Sequence, residues 1–312
     1  GGGRAEMRIL VLRGGALGDF LLTLPAVAGL REKWPEAEIE MVAARKFGEL
    51  VMGPGAVNAI RPIDEPGLAS FYAAGGSLDR RWADYFTEFD LTISYLFDPD
   101  GVFAANWQRA GGTGQYISHD PRNPAEAAWR HLCKPLAELG VMAGDGRRLY
   151  GTSLVSAEGK KERSDELRLV IHPGSGGKKK CWPLEEWLRE LDGFDYPLPW
   201  GVTWLAGEAE EDLSLRLPEK WQKGSHGIMQ NRPLSEVFRV VQSADLYLGH
   251  DSGISHLAAW SGVKCGLLFG PTDAKIWAPA GGLVQSWSRS GEWPKEGEWR
   301  DWFRGILVGE GG

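Results

Sequence analysis

The chain has 312 residues, 43% hydrophobic and 25% charged, with a formal net charge of −7, which suits one large or two medium soluble domains with a buried core. The negative balance and the lack of any basic block exclude a nucleic-acid binder. No apolar run reaches the ~18 residues of a membrane span, and no secretory signal is visible.

Residues 1–6 precede a natural-looking start at Met7 and read as an appended or loose tail. Residues 8–12 (RILVL) form a short apolar strand, and the loop 13–19 (RGGALGD) leads into an apolar-periodic helix over 20–34. Pro25 must kink that helix or lie in its early turns. Strands follow at 37–43, 59–63 and 90–97, with a helix starting at 47–51 and another over 124–139 that ends on Gly140. This half alternates β and α in the Rossmann manner. The polar, aperiodic stretch 156–166 (SAEGKKERSDE) is the expected linker.

The grammar then restarts, with strand 167–172, loop 173–181, helix 183–191, strand 202–206 and helix 208–217. A short strand near Ile228 and a helix over 234–243 come next. A buried strand at 244–249 enters the run HDSGISHLAAWSGVKCGLLFGPT (250–272), itself a turn, a helix and a strand over 264–269. The expected fold is α/β: two Rossmann-like βαβ domains facing across a cleft, residues 7–160 and 161–312.

Three loops carry chemistry. The first, GGALGD, is neither a Walker A motif nor a clean GxGxxG. Gly15 and Gly18 let a ligand approach the backbone, and Asp19 stands at a helix mouth, as an N-cap or as a general base facing the cleft. The second, HPGSGGKKKCWP, folds tightly on Gly174 and Ser175 and offers lysines to a diphosphate. Lys178 and Lys179 read as solvated, whereas Lys180 adjoins the buried-looking Cys181-Trp182 pair. Pro183 suits the first position of the next helix. In the third, Asp251-Ser252-Gly253 opens a helix carrying His256, so unpaired N–H groups and a positive dipole end face whatever lies above the strand tips, as a phosphate site requires. Asp251, Ser252 and His256 are no hydrolase triad, because no GxSxG elbow surrounds the serine.

The segments MRILVLRGGALGDFLLTLPAVAGLREKWPEAEI, HPGSGGKKKCWPLEEW, WLAGEAEE and DSGISHLAAWSGV…LFGPTDAKIWAP occur in that order. In that order and spacing they resemble glycosyltransferase family 9, the bacterial lipopolysaccharide heptosyltransferases, from Met7 to about residue 282. The resemblance implies a GT-B fold whose N-terminal domain binds the acceptor and whose C-terminal domain binds a nucleotide sugar. It makes Asp19 the base that deprotonates the acceptor hydroxyl. Lys180 and the backbone amides of Ser252, Gly253 and Ile254 would hold the departing diphosphate. Glu208 would meet the ribose hydroxyls, and Asp251 and His256 match the D-[ST]-G-x-x-H pattern. The implied reaction moves heptose from ADP-heptose to a lipopolysaccharide-core or lipid-linked glycan acceptor, with inversion and with neither cofactor nor metal. Such a displacement needs a base on one face of the anomeric carbon and charge neutralisation on the other, completed by domain closure.

Two other readings share this fold: a GT-B relic that binds nucleotide or glycan without transfer, and a nucleotide-sugar epimerase. Retention of both Asp19 and Lys180 argues against decay. Asp98-Pro99-Asp100 spells the DxD metal signature of the GT-A fold, but the proline and the first-domain location favour a solvent turn. Loops 66–81 and 107–124 are unfamiliar; Arg109, His119 and Arg122 there are either acceptor-anion contacts or plain solvated surface. The C-terminal stretch with Trp287, Trp293, Trp299, Trp302 and Phe303 is expected to pack back on the first domain, the alternative being peripheral contact with the inner membrane. Three scattered cysteines, Cys133, Cys181 and Cys265, read as reduced thiols of a cytoplasmic protein.

Overall fold

The RILVL segment forms β1 (Arg8–Leu12), followed by β2 (Glu38–Ala43), β3 (Ala59–Pro62), β4 (Leu91–Ser94) and β5 (Gln115–Ser118) in a sheet ordered β3-β2-β1-β4-β5. Every pairing is parallel. β1 lies at the centre with Ile9, Leu10, Val11 and Leu12 fully buried, the continuous apolar run that a strand covered on both faces requires. The computed structural model describes residues 6–155, 165–281 and 283–308. The expected linker, mostly at 156–164, and the expected tail at 1–5 lie outside the described residues. By its internal contacts the chain divides into two units, Gly1–Ala157 and Glu158–Gly312.

In the first unit the helix Leu17–Lys33 is buried along almost its whole length and continues through Pro25. Gly29 is needed there, because a Cβ would overlap the Met142 carbonyl. Arg31 is buried, yet its guanidinium is consumed by the Ala37 and Ala56 carbonyls and Asn58 Oδ1, so its charge is compensated locally. The unfamiliar segments build an aromatic core: Phe71, Trp82, Phe86, Phe103 and Trp107 pack on Leu10 and Leu12. They come from the 3-10 turn Pro66–Tyr72, the helix Arg80–Phe86 capped by Asp79, and the helix Val102–Arg109. The helix expected over 124–139 is divided into Ala128–Cys133 and a 3-10 stretch Lys134–Leu139, since Pro135 cannot donate the hydrogen bond that would carry it on. Gly140, in the left-handed region at φ 66°, ends it.

The second unit holds β6 (Leu167–Ile171), β7 (Trp200–Ala206), β8 (Gly227–Gln230), β9 (Leu246–His250), β10 (Cys265–Phe269) and β11 (Val284–Ser288). The sheet order is β11-β10-β9-β6-β7-β8, all parallel. Counted from β6 this is the doubly wound 3-2-1-4-5-6 order of dinucleotide-binding folds. The order reverses between β6 and β9, as it does between β1 and β4 in the first unit. Open α/β sheets bind ligands beyond the C-terminal strand ends at such a reversal. Topology alone therefore singles out the loops after β1, β4, β6 and β9.

Two expectations are corrected here. The C-terminal Trp-rich segment packs into its own unit. The helix Glu298–Val308 buries Trp299, Phe303 and Ile306 in one core with Trp182, Trp187, Trp204 and Trp221, while Trp287, Trp293 and Trp302 pack against it half-buried. These side chains are core, which leaves little of the patch that the alternative, membrane-contact reading requires. Pro183 is the N-cap of the helix Leu184–Asp192, with ψ 140°, rather than its first residue. No helix among the described residues is long and apolar enough to cross a membrane.

Candidate active site

At the β6–β9 reversal two loops meet. Ser175 Oγ donates to the Asp251 carbonyl at 2.8 Å, and Lys180 Nζ lies 3.6 Å from Asp251 Oδ2. The lysine side chain is 42% exposed and the carboxylate 13%, so the ammonium faces outward from a partly sheltered anion. Ser252 is the N-cap of the helix Gly253–Ser261; its Oγ accepts the Ser255 N–H at 3.3 Å. Helix geometry leaves the N–H groups of Gly253 and Ile254 without an intrahelical acceptor, beside Lys180's partner Asp251. Beneath this turn the fully buried Tyr247 hydroxyl lies 3.0 Å from Ser255 Oγ, which itself donates to the His250 carbonyl at 2.5 Å. His256 is buried in the first turn of the same helix.

A cavity of about 410 Å³ opens next to this turn. Leu205, Ala206, Met229, Leu234, Val237 and Ile254 give it apolar walls, and Glu208, Glu210, Asn231 and Arg232 add polar groups. Ile254 belongs both to the cavity wall and to the helix N-terminus, so an apolar ring system in the cavity would have its attached phosphates at the free amides. Glu208 is exposed at the rim, whereas Glu210 is tucked inward. Glu210 Oε2 accepts the Gly207 N–H at 2.8 Å, and Oε1 lies 3.7 Å from His172 Nε2. Burial pushes the Glu210 pKa up, but His172 and the Gly207 N–H outweigh it and hold the carboxyl below its ordinary range. Gly174 leaves room for this carboxylate, since a Cβ there would overlap Glu210 Oε1 and force the side chain to shift.

In the first unit the loop after β1 delivers Asp19 as the third residue of its helix, with Ala16 at the N-cap position. Asp19 Oδ2 accepts the Ala16 N–H at 3.0 Å, and Oδ1 lies 3.6 Å from the buried Arg13 guanidinium. Arg13 Nε donates to Thr23 Oγ1, which donates back to the Asp19 carbonyl. Burial pushes the Arg13 pKa down, and the neighbouring Asp19 and Tyr95 oppose that. The side chain of Asp19 is 41% exposed, as a proton acceptor must be. Gly15, at φ 98°, permits this geometry, since a Cβ would overlap the Asp19 carboxylate. Gly18 lies in the first helical turn.

The remaining candidates have structural partners. Asp98 accepts the Phe103 and Ala104 N–H groups, each at 3.0 Å, and so caps the helix Val102–Arg109. Arg122 pairs with Asp120 at 3.2 Å and covers the Phe97 ring, and Arg109 donates to the Gly76 carbonyl. His119 lies tilted against His131, with ring centroids 4.5 Å apart. Sequence reasoning missed Arg13, Glu210 and His250. The first two carried a signal, being charged residues within two positions of chosen ones.

The sequence model of Glycosyltransferase family 9 (heptosyltransferase) matches residues 127–297, more than half of the chain. Lipopolysaccharide heptosyltransferase 3 of Escherichia coli strain K12 is 23% identical over 298 residues, 87% of this chain and 85% of that protein. Lipopolysaccharide heptosyltransferase 1 of the same strain is 23% identical over 303 residues, 86% and 89% of the two chains. The solved structure of E. coli heptosyltransferase WaaC with ADP matches in fold, with a TM-score of 0.72 over 96% of this chain and 99% of that one at 18% identity. Two doubly wound parallel sheets of this kind in one chain make up a GT-B fold. The chain belongs to glycosyltransferase family 9, the heptosyltransferase family.

Proposed function

We propose that this glycosyltransferase transfers heptose from ADP-heptose to a lipopolysaccharide-core or related glycan acceptor, with inversion and without a metal ion. The observation that carries the reading is the junction in the second unit. An apolar cavity of about 410 Å³ ends on Ile254, where the N–H groups of a helix start and Lys180 stand beside Asp251. A nucleoside suits the cavity, its ribose hydroxyls meeting Glu208 at the rim. The diphosphate then falls on the amides of Ser252, Gly253 and Ile254 and on Lys180, with Gly174 and Ser175 shaping the loop and Asp251 and His256 supporting it. ADP bound to a relative's solved structure and heptosyltransferase activity in the relatives' names favour ADP-heptose over other donors.

In the reaction the acceptor oxygen attacks the anomeric carbon while its proton passes to the Asp19 carboxylate. The bond from that carbon to the diphosphate breaks, and the charge that develops on the leaving phosphate is met by Lys180 and the helix amides. Fixed protein cations and dipoles at the leaving group take the part a metal ion plays elsewhere. The acceptor is anchored to a membrane in a lipopolysaccharide pathway, so the enzyme works as a cytoplasmic protein with at most peripheral membrane contact.

Calorimetric titration of ADP, UDP, GDP and CMP into the wild type and Lys180→Ala, without added metal, tests the donor assignment. Selective ADP binding that weakens in the variant is the expected result; selective UDP or GDP binding would overturn the heptose donor. Asp19→Ala should keep its ADP affinity while transfer falls by roughly 10²–10⁴-fold. Intact transfer in that variant would remove Asp19 as the base, and release of epimerised sugar without acceptor would make the enzyme an epimerase.

A further inference from the structure

Three contacts tie the loop after β6 to the tip of β9. Two of them, Ser175 Oγ to the Asp251 carbonyl and Lys180 to Asp251, are shared with solvent. The third is sealed: Trp182 N–H donates to His250 Nε2 at 2.9 Å, and both residues are buried. The rings of Trp187 and Trp293 lie 5.5 and 5.6 Å from the imidazole. Inside such an aromatic cluster a hydrogen bond is worth more than in water, and an unmade one costs the desolvation of the orphaned group. A backbone N–H can only donate, so Nε2 accepts, the ring proton resides on Nδ1, and the imidazole is neutral.

The position of His250 in the chain gives this contact its meaning. His250 directly precedes Asp251, the partner of Lys180, and its carbonyl accepts the Ser255 hydroxyl of the helix whose first amides are free. Its ring holds Trp182, two residues beyond Lys180. One buried residue thus ties the lysine loop through its ring and the helix start through its carbonyl, next to the aspartate in the chain, and it is not itself among the residues that line the cavity. We infer that His250 is a positioning residue for the diphosphate cradle, holding Lys180 in register with the helix N-terminus through its bond to the Trp182 amide. This rests on the assignment of Lys180 to the diphosphate. A leucine would fill the same space and leave the Trp182 N–H unpaired. A glutamine places an acceptor oxygen close to where Nε2 stands.

The test is ADP affinity by calorimetry for the wild type, His250→Leu, His250→Gln, Lys180→Ala and the double variant His250→Leu/Lys180→Ala, with folding followed by circular dichroism melts. The leucine variant should lose tenfold or more in affinity, and the glutamine variant should recover most of that loss. In the Lys180→Ala background His250→Leu should add little, because both changes remove one contribution. If the leucine chain does not fold, His250→Asn, whose amide is too short to reach Trp182, takes its place. Wild-type affinity in the loss variant beside a weakened Lys180→Ala would overturn the role of His250 alone, as would additive losses or a glutamine no better than leucine. An unaffected Lys180→Ala would overturn the lysine assignment and this inference with it.

Discussion

Burial, and next the neighbouring His172, pushes the His250 pKa down to about 3. An unfolded histidine titrates near ~6.5. Between those values the unfolded chain holds a proton that the folded chain does not, so stability rises with pH and is lost on acidification. The loss amounts to at most about 1.4 kcal/mol per pH unit from ~6.5 downward. Glu210 acts in the same direction lower on the scale. Its carboxyl is held below the ordinary range, so its contribution is complete above ~4.3 and disappears as pH falls through the folded value. Denaturant melts of the wild type and His250→Gln between pH 7.5 and 5 should show a pH slope in the first that flattens in the second. Equal slopes would assign the acid sensitivity to another group. The placement of Asp19, Lys180 and the Asp251-Ser252-Gly253 turn at strand tips was legible in the sequence, because each lies in a local run of glycines, lysines or cap residues between an apolar strand and a helix. His250 was not, because its role depends on a bond to Trp182, 68 residues away, that exists only once β6 and β9 are neighbours.

The C-terminal helix shows the same limit at the level of an element. Its tryptophans mark an amphipathic segment, but nothing in their spacing says which core receives them. Trp299 is fully buried, stacks on Phe303 with centroids 4.7 Å apart, and lies 6.0 Å from Trp182. Trp299→Ala should therefore destabilise the second unit by about 3–5 kcal/mol. Because Trp182 carries the amide held by His250, ADP affinity should fall as well. Chemical denaturation paired with calorimetry checks both effects, and a stability loss below about 1 kcal/mol would place the helix outside the core. The central strands β1, β6, β9 and β10 were readable as apolar runs, being covered on both faces. The edge strands β5 (QYIS) and β11 (VQSWS) were not, because half-exposed strands mix polar residues into a short span. The helix expected over 124–139 failed at Pro135, which the periodicity of its neighbours masked.

The whole chain uses one topology twice, each time with a core of its own. Each sheet reverses its strand order beside its first strand, and each first strand runs into a glycine-bearing loop, one supplying Asp19 and the other Lys180. Doubling a binding crevice in this way lets two substrates be held by separate sets of residues, with the proposed base on one unit and the proposed leaving-group cation on the other. The nucleotide contacts proposed here all belong to the second unit, so ADP without acceptor should stabilise that unit first. At a hundredfold excess over Kd the stabilisation is about 2.7 kcal/mol. Hydrogen exchange should register it as protection of the amides at 172–182, 206–210, 229–237 and 250–256, with the segment 13–19 little changed. Protection centred on 13–19 would instead assign the nucleotide to the first unit and remove Lys180 from the diphosphate.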